Sequence, residues 1–236
     1  MTFPTVKPSR PLFPPEVPRG SVPDPGGKTP AEHAYRTQRA VADAYTQWRE
    51  AHSPDIAPEV AKRNAGAFGV SDAALQLPDV LKAVKQNADD ASKQVNEILR
   101  GARVSDDNVD QVKAQRYWAR TQRTLDAIKD PAKLIVKAQE FIANADGSDV
   151  PVLAEELSEY CTSRGVPAGW IPAALAGKVP GLADAQAAAI LASRQHAILL
   201  QNHNLLRNAM AKDVASPPLQ DPSLVNSEPY LESSTQ

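Results

Sequence analysis

Proline dominates the start of this chain and restricts what its first residues can form. Nine of the first thirty residues are proline, and Gly20, Gly26 and Gly27 lie among them. Proline lacks a backbone N–H donor and holds the residue before it in an extended conformation. Residues 1–29 are therefore predicted to form an extended arm, which can be neither a helix nor a central strand.

The arm carries apolar side chains at intervals along its length. They are Phe3, Val6, Leu12, Phe13 and Val17. An extended segment loses roughly 1 to 2 kcal/mol of backbone entropy per residue when it becomes ordered, so a surface outside the arm must supply that free energy. We therefore predict that these five residues bind a partner surface.

Signals for helices follow the arm directly. Thr29-Pro30-Ala31-Glu32 has the pattern of a capping box with proline at the first helical position. Further start and stop signals predict helices over 30–51, 77–100, 105–129, 131–145, 151–163 and 182–214, with shorter ones within 55–69, 72–76 and 170–176. Gly101 is expected to close the second of these helices in the left-handed conformation.

No run of alternating β-branched residues interrupts the helical segments, so the predicted class is an all-α helical bundle with one long C-terminal helix. After residue 214 the chain becomes polar and rich in proline again, and its only charged residues there are Asp221, Glu228 and Glu232. The predicted organisation is therefore an extended arm over 1–29, a helical body over 30–214 and an extended acidic tail over 215–236.

The long C-terminal helix carries a heptad seam. Its positions include Leu182, Ala189, His196, Leu199, His203, Leu206 and Met210. Polar residues at seam positions cost stability but can fix the register and number of associated helices. We predict that this seam associates with copies of itself. His196 and His203 are poor candidates for a shared metal, because seven residues separate them by roughly 10.5 Å of helix rise.

A basic stripe lies on a different predicted helix. Its members, at spacings of three, four and three, are Lys113, Arg116, Arg120 and Arg123, with Tyr117 and Trp118 interleaved. Such a stripe can follow a nucleic-acid backbone. It can also pair, within one subunit or between subunits, with Glu155, Glu156 and Glu159. The formal net charge of −2 favours the second interpretation.

Motifs typical of enzymes are not found in the sequence. It has no phosphate-cradling glycine motif, no Gly-x-Ser-x-Gly and no His-Glu-x-x-His, so we expect neither catalysis nor a bound cofactor or metal. Cys161 is the only cysteine and is expected to be a buried small residue. No apolar run approaches the roughly 18 to 20 residues of a membrane span, and the first residues lack the features of a secretion signal.

The proline-rich arm, the helical body over 30–214 and the acidic tail together resemble structural proteins of tailed-phage particles. Head accessory proteins and head-tail connector or adaptor subunits are the types that the chain resembles. The resemblance implies a homo-oligomeric virion subunit, made in the host cytoplasm, that binds portal, capsid or tail subunits through its arms. A phage scaffolding protein fits less well, because such proteins typically end in a basic helix-turn-helix.

The alternative outside viruses is a cytoplasmic helical protein that binds nucleic acid through the basic stripe. In both interpretations the chain works by binding rather than by catalysis, and no membrane is expected as a partner.

Overall fold

The computed structural model describes residues 19–52, 66–102, 104 and 108–226. These residues form helices and connecting turns with no strand among them, which confirms the predicted all-α class. The helices are α1 (Pro30–His52), α2 (Asp72–Leu75), α3 (Leu77–Gly101), α4 (Asn108–Asp126), α5 (Pro131–Asn144), α6 (Val150–Ser163), α7 (Ile171–Leu175) and α8 (Leu182–Lys212). Phe68–Val70 and Pro222–Leu224 form 3-10 turns.

The described chain divides into two compact units. Unit 1 contains the described residues up to Asn87 together with Ser193–Asn226, and unit 2 contains those of Ala88–Ala192. The predicted helical body over 30–214 contains all of the described residues of unit 2 and most of those of unit 1. Both α3 and α8 contribute residues to each of them.

Helix starts follow the predicted capping chemistry. The Thr29 hydroxyl accepts a hydrogen bond from the Glu32 amide at 3.1 Å, and the Glu32 carboxylate accepts from the Lys28 amide at 2.8 Å. At α5, Asp130 Oδ1 accepts from the Ala132 amide at 2.9 Å. These side chains satisfy amides that the first helical turn leaves without a partner.

Helix ends are less regular than predicted. Gly165 closes α6 with a φ of +68°, and the Val166 amide donates to the Cys161 carbonyl at 2.9 Å, as in a Schellman motif. Gly101, by contrast, stays helical, because the Ala102 amide donates to the Ile98 carbonyl at 3.0 Å and continues the α-helical pattern. The prediction of a left-handed closure at Gly101 is wrong.

The core of unit 1 joins α1 to the C-terminal half of α8. Tyr45 and Trp48 place their rings 5.3 and 5.6 Å from that of Phe68, and Leu206 and Met210 pack into the same cluster. A smaller cluster contains Ala31, Ala34, Val84 and Leu199. Burial of these apolar side chains supplies the main favourable free energy of this unit.

The described part of the arm lies against unit 1. The Gly20 amide donates to Asp72 Oδ2 at 2.9 Å, and Val22 packs on the core cluster of α1 and α8. Gly27 is required at its position, because a Cβ there would lie 2.5 Å from the His33 backbone nitrogen. Residues 19–28 are thus held by their own unit. Phe3, Val6, Leu12, Phe13 and Val17 lie outside the described residues.

The tail, as far as Asn226, is also held by unit 1. The fully buried Asn202 donates from Nδ2 to the Gln220 carbonyl at 2.8 Å and accepts from the Gln220 amide at 3.0 Å. Further along, Arg194 donates to the Asn226 carbonyl at 2.8 Å. The predicted tail is therefore fixed by hydrogen bonds over its first part, and residues 227–236 lie outside the described chain.

Unit 2 has a core of its own, built from all of its helices. Fully buried members are Leu125 of α4, Leu134 and Ile142 of α5, Leu153, Leu157 and Cys161 of α6, Leu175 of α7 and Leu182 of α8. Cys161 is buried, as predicted, and burial raises the pKa of its thiol. This packing orients the outer faces of α4 and α6 and the groove described below.

Candidate interaction surfaces

An apolar groove opens on the surface of unit 2. It encloses about 640 Å³ between the second half of α3, the α7 region and the first half of α8. Its walls are formed by Ser92, Val95, Asn96, Gly169, Pro172, Ala173, Ala176, Ala183, Gln186, Ala187, Ala189 and Ile190. None of these side chains is charged, and most are small. Small apolar walls allow the backbone of a bound segment to approach closely.

A second hollow of about 530 Å³ adjoins the groove and shares Asn96, Gly169 and Pro172 with it. Leu99 and Ile171 contribute apolar surface there, and Arg100 lies at the same hollow. The two hollows together form a longer surface depression within unit 2. Apolar concave surfaces of this kind are typical of ligand or partner sites.

The basic stripe lies on the solvent face of α4. Lys113, Arg116, Arg120 and Arg123 are all exposed, whereas Trp118 faces the core and packs edge-to-face on Tyr160 at 5.7 Å. At 3.6 residues per turn, the four cations lie roughly 140 to 160° around the helix from Trp118. Tyr117 and Trp118 are partly buried against the core, so they do not form part of the stripe.

Local contacts engage part of the basic stripe. Lys113 pairs with Asp110 at 3.7 Å, and Arg123 Nε donates to the Ala119 carbonyl at 3.1 Å. Burial raises the pKa of the Asp149 carboxyl, as does the charge of Asp146, whereas the charge of Arg120 lowers it. The Lys113–Asp110 pair is exposed, and exposed pairs of this kind contribute little to stability.

The acidic face of α6, formed by Glu155, Glu156 and Glu159, does not meet the basic stripe within the described chain. No ion pair of the described residues joins the two sets. Glu155 and Glu159 each lie roughly 160° around α6 from the buried Leu157, so both project from its solvent side. Pairing within one subunit, which the sequence left open, is therefore not found between these residues.

Repulsion is evident among these three carboxylates. The pKa of the Glu156 carboxyl is raised by burial and by the charges of Glu155 and Glu159. Glu155 and Glu156 also line a pocket of about 260 Å³ with Gln111, Gln115, Trp118 and Val152. The acidic face therefore has carboxylates beside an aromatic ring, a combination suited to a cationic side chain.

The heptad seam of α8 is occupied by packing within the chain. Leu182 lies in the unit 2 core, Leu199 packs with Ala31 and Val84, and Leu206 and Met210 pack with α1. Ala189 lines the apolar groove. The periodicity correctly identified a packing face of α8, but these contacts leave its leucines unavailable to a second copy. Self-association through the whole seam is thus not what this geometry supports.

The two seam histidines are half-buried in unit 1. Burial, together with the charge of Arg207, lowers the pKa of His203, and its Nδ1 atom is buried without a hydrogen-bond partner. Among the described residues, no group of three or more His, Cys, Asp or Glu side chains is arranged to hold a metal. In the same part of the chain, no helix is both long enough and apolar enough to span a membrane.

Sequence reasoning missed the apolar groove. The signal was present in the alanine-rich stretch 183–192 and in Pro172-Ala173, but spacing alone does not reveal that these segments line one hollow with α3.

Comparison of the chain with protein-family models, curated proteins and solved structures finds no match in any of the three.

Proposed function

We propose that this chain is a non-enzymatic assembly subunit of a multi-subunit particle. In this proposal, residues 1–18 of the arm of one copy bind in the apolar groove of a neighbouring copy. The main observation in support of this proposal is the apolar groove, which encloses about 640 Å³ and has no charged side chain in its walls. Exposed apolar concavities on small proteins commonly mark binding sites.

The composition of the arm supports it as the occupant. Residues 1–18 carry Phe3, Val6, Leu12, Phe13 and Val17 among six prolines. In a polyproline II conformation, eighteen residues extend roughly 55 Å, which is long enough to reach a neighbour. Prolines also restrict the unbound chain, so ordering it on a surface costs less entropy.

The later part of the arm is held by its own unit. Residues 19–28 contact their own unit through Gly20, Val22 and Lys28. Removal of the whole arm would therefore disturb the start of α1 as well as any contact between copies. The segment proposed to bind a neighbour is residues 1–18 alone.

The particle proposed is a phage virion, with the subunit acting as a head accessory or head-tail connector protein. This part rests on the resemblance of the proline-rich arm, helical body and acidic tail to such subunits. Partners are then other copies of the chain and portal, capsid or tail subunits.

A test compares the full chain with three variants by mass photometry and sedimentation velocity. We expect the full chain to form a discrete oligomer, whereas deletion of residues 1–18 or the groove substitution Ile190→Asp yields monomers with unchanged helical circular dichroism. Leu200→Asp is the matched control, because Leu200 is 40% exposed on the same helix but lies in unit 1, outside the groove. A full chain that stays monomeric, or a deletion variant that assembles normally, would contradict the proposal.

Nucleic-acid binding through the basic stripe is the second candidate function. Four exposed cations on one face of α4 favour it. Its support is weaker, because Tyr117 and Trp118 are partly buried against the core and do not lie on the face of α4 that carries the four cations, where bases of a bound strand would have to stack. Retention of the full chain on immobilised DNA at low salt, lost when Arg116 and Arg123 are replaced by Glu, would support this candidate.

A further inference from the structure

Unit 2 displays two oppositely charged helix faces that do not pair with each other. The basic stripe projects from the solvent side of α4, and Glu155 and Glu159 project from the solvent side of α6. The two helices are neighbours that share the contact between Trp118 and Tyr160. Glu155 and Glu156 line a pocket beside Trp118, but no hydrogen bond or ion pair of the described residues joins the acidic face to the basic stripe within one copy.

We propose that the basic stripe of one copy docks on the acidic face of a second copy. The proposal rests on the assembly function above and adds a second contact to it, one that determines the orientation of neighbouring copies. Complementary charge is the reason for choosing a second copy as the partner. The chain supplies both a face with four cations and a face with three carboxylates, and α6 itself contains no lysine or arginine over Val150–Ser163.

The acidic face has the chemistry to receive an arginine. Its pocket of about 260 Å³ has Trp118 in its wall and the carboxylates of Glu155 and Glu156 beside it. A guanidinium can pair with a carboxylate while its planar group and aliphatic stem contact an indole ring. Burial and, to a smaller extent, the charges of Glu155 and Glu159 raise the pKa of Glu156, and a bound cation would offset the second of these effects.

Apolar surface accompanies the cations on α4. Val109 and Val112 are 60% and 46% exposed and lie on the same side of the helix as the stripe. Exposed valines next to charged groups can exclude water at the centre of a contact, as residues at the centre of protein interfaces do. A bare nucleic-acid backbone would not use these valines, which favours a protein partner.

The contact between copies would be heterologous, because it joins two different faces of the same unit. Heterologous contacts build rings when the rotation between subunits closes and open filaments when it does not. Individually, exposed charge pairs bind weakly, so this contact is expected to orient the subunits and to depend on salt. The arm in its groove would supply the remaining affinity.

Charge reversal tests the contact in the full-length protein. An acidic variant carries Arg116→Glu and Arg123→Glu, and a basic variant carries Glu155→Lys and Glu159→Lys. In the acidic variant the stripe has no net charge, and in the basic variant the acidic face becomes net positive, so neither variant alone keeps the attraction between the two faces. We expect the dissociation constant for self-association at about 10 mM salt to rise at least about tenfold. Mixed in equal amounts, the unchanged stripe of the basic variant can bind the unchanged acidic face of the acidic variant, so pairing of one copy with another should return to the wild-type dissociation constant within about threefold.

The control variant changes net charge equally without touching either face. It carries Lys82→Glu and Lys212→Glu, two exposed positions in unit 1, and should associate as the wild type does. Sedimentation velocity gives the readout, and circular dichroism confirms that each variant is folded.

Three outcomes would overturn the proposal: variants that associate individually as well as the wild type, a mixture that fails to regain association, or a loss confined to DNA binding. Loss of assembly on deleting residues 1–18 tests the arm separately. The charge-reversal result can therefore fail while the assembly function stands.

Discussion

The hydrogen bonds of Asn202 predict how firmly the tail is held on unit 1. Replacing Asn202 by Ala removes the bonds to the Gln220 carbonyl and amide, at 2.8 and 3.0 Å. Because each hydrogen bond contributes about 1 kcal/mol, the free energy needed to detach the tail from α8 should fall by about 2 kcal/mol. Alanine is the better helix former by about 0.6 kcal/mol, so global stability should fall by only about 1.4 kcal/mol.

Hydrogen exchange followed by mass spectrometry separates the two quantities. Amides that exchange by local detachment within residues 214–226 should exchange about 30-fold faster in Asn202→Ala, since about 1.4 kcal/mol corresponds to a factor of ten. Amides in the middle of α1 should change less. Urea unfolding measures the smaller global loss.

Asn204→Ala is the matched control, because Asn204 is exposed and lies two residues further along α8. This substitution gains the same helix propensity as Asn202→Ala without losing the two hydrogen bonds. If the exchange rate in the tail of Asn202→Ala rises less than about threefold, or rises equally in Asn204→Ala, the two hydrogen bonds of Asn202 do not hold the tail. The assignment of the tail to unit 1 through this side chain would then be wrong.

Four further predictions concern local energetics. Burial and the Asp213 charge raise the pKa of Tyr45 to about 12, above the value of about 10 for an unfolded tyrosine. Tyr45 should therefore lower the free energy of unfolding by about 2 kcal/mol as pH rises from about 10 to 12, and Tyr45→Phe should remove that share of the decline in urea titrations, leaving the share of Tyr160, whose pKa is also raised to about 12. Gly165→Ala, at a φ of +68° with open space around the new Cβ, should cost about 1 kcal/mol in thermal melts, unlike Gly177→Ala. Thr29→Ala should lose about 1 kcal/mol of stability through the α1 cap, and Thr29→Ser should retain it. Leu206→Ala should destabilise unit 1 by about 3 to 5 kcal/mol without changing oligomer size, since Leu206 is fully buried in its own chain.

Local signals in the sequence predicted the ends of the six longer helices to within three residues, and the short helix predicted within 55–69 falls mostly outside the described residues. Thr29 with Glu32, Asp130 with Pro131, and the glycine after α6 each mark a boundary through a short-range hydrogen bond or backbone requirement. The prediction failed at Gly101, because glycine permits a left-handed closure but does not enforce one. The last helix of the prediction ended two residues late, since Asp213 takes the left-handed conformation with a φ of 49°.

Long-range pairing could not be read from the sequence. The α8 periodicity identifies a face that must be buried, but a heptad pattern is the same whether its partner is α1 of the same chain or another copy. The division into two units has no local signal in the sequence, because α3 and α8 run through both units without a proline or glycine at the boundary. The four cations of the basic stripe lie exposed on one face of α4, which their spacing alone requires once the segment is helical. The absence of ion pairs between them and Glu155 or Glu159 depends on how α4 and α6 pack.

Unit 1 is assembled from both ends of the described chain, and unit 2 is formed by the segment between them. During synthesis on the ribosome, all of Ala88–Ala192 emerges before the second half of α8, which Tyr45 and Trp48 need for their packing. Unit 2 can therefore fold while α1 has not yet packed against the second half of α8. A nascent chain that stops before residue 193 would carry a folded unit 2 joined to an incompletely folded unit 1. Synthesis of the second half of α8 is therefore the step after which both units can reach the native state.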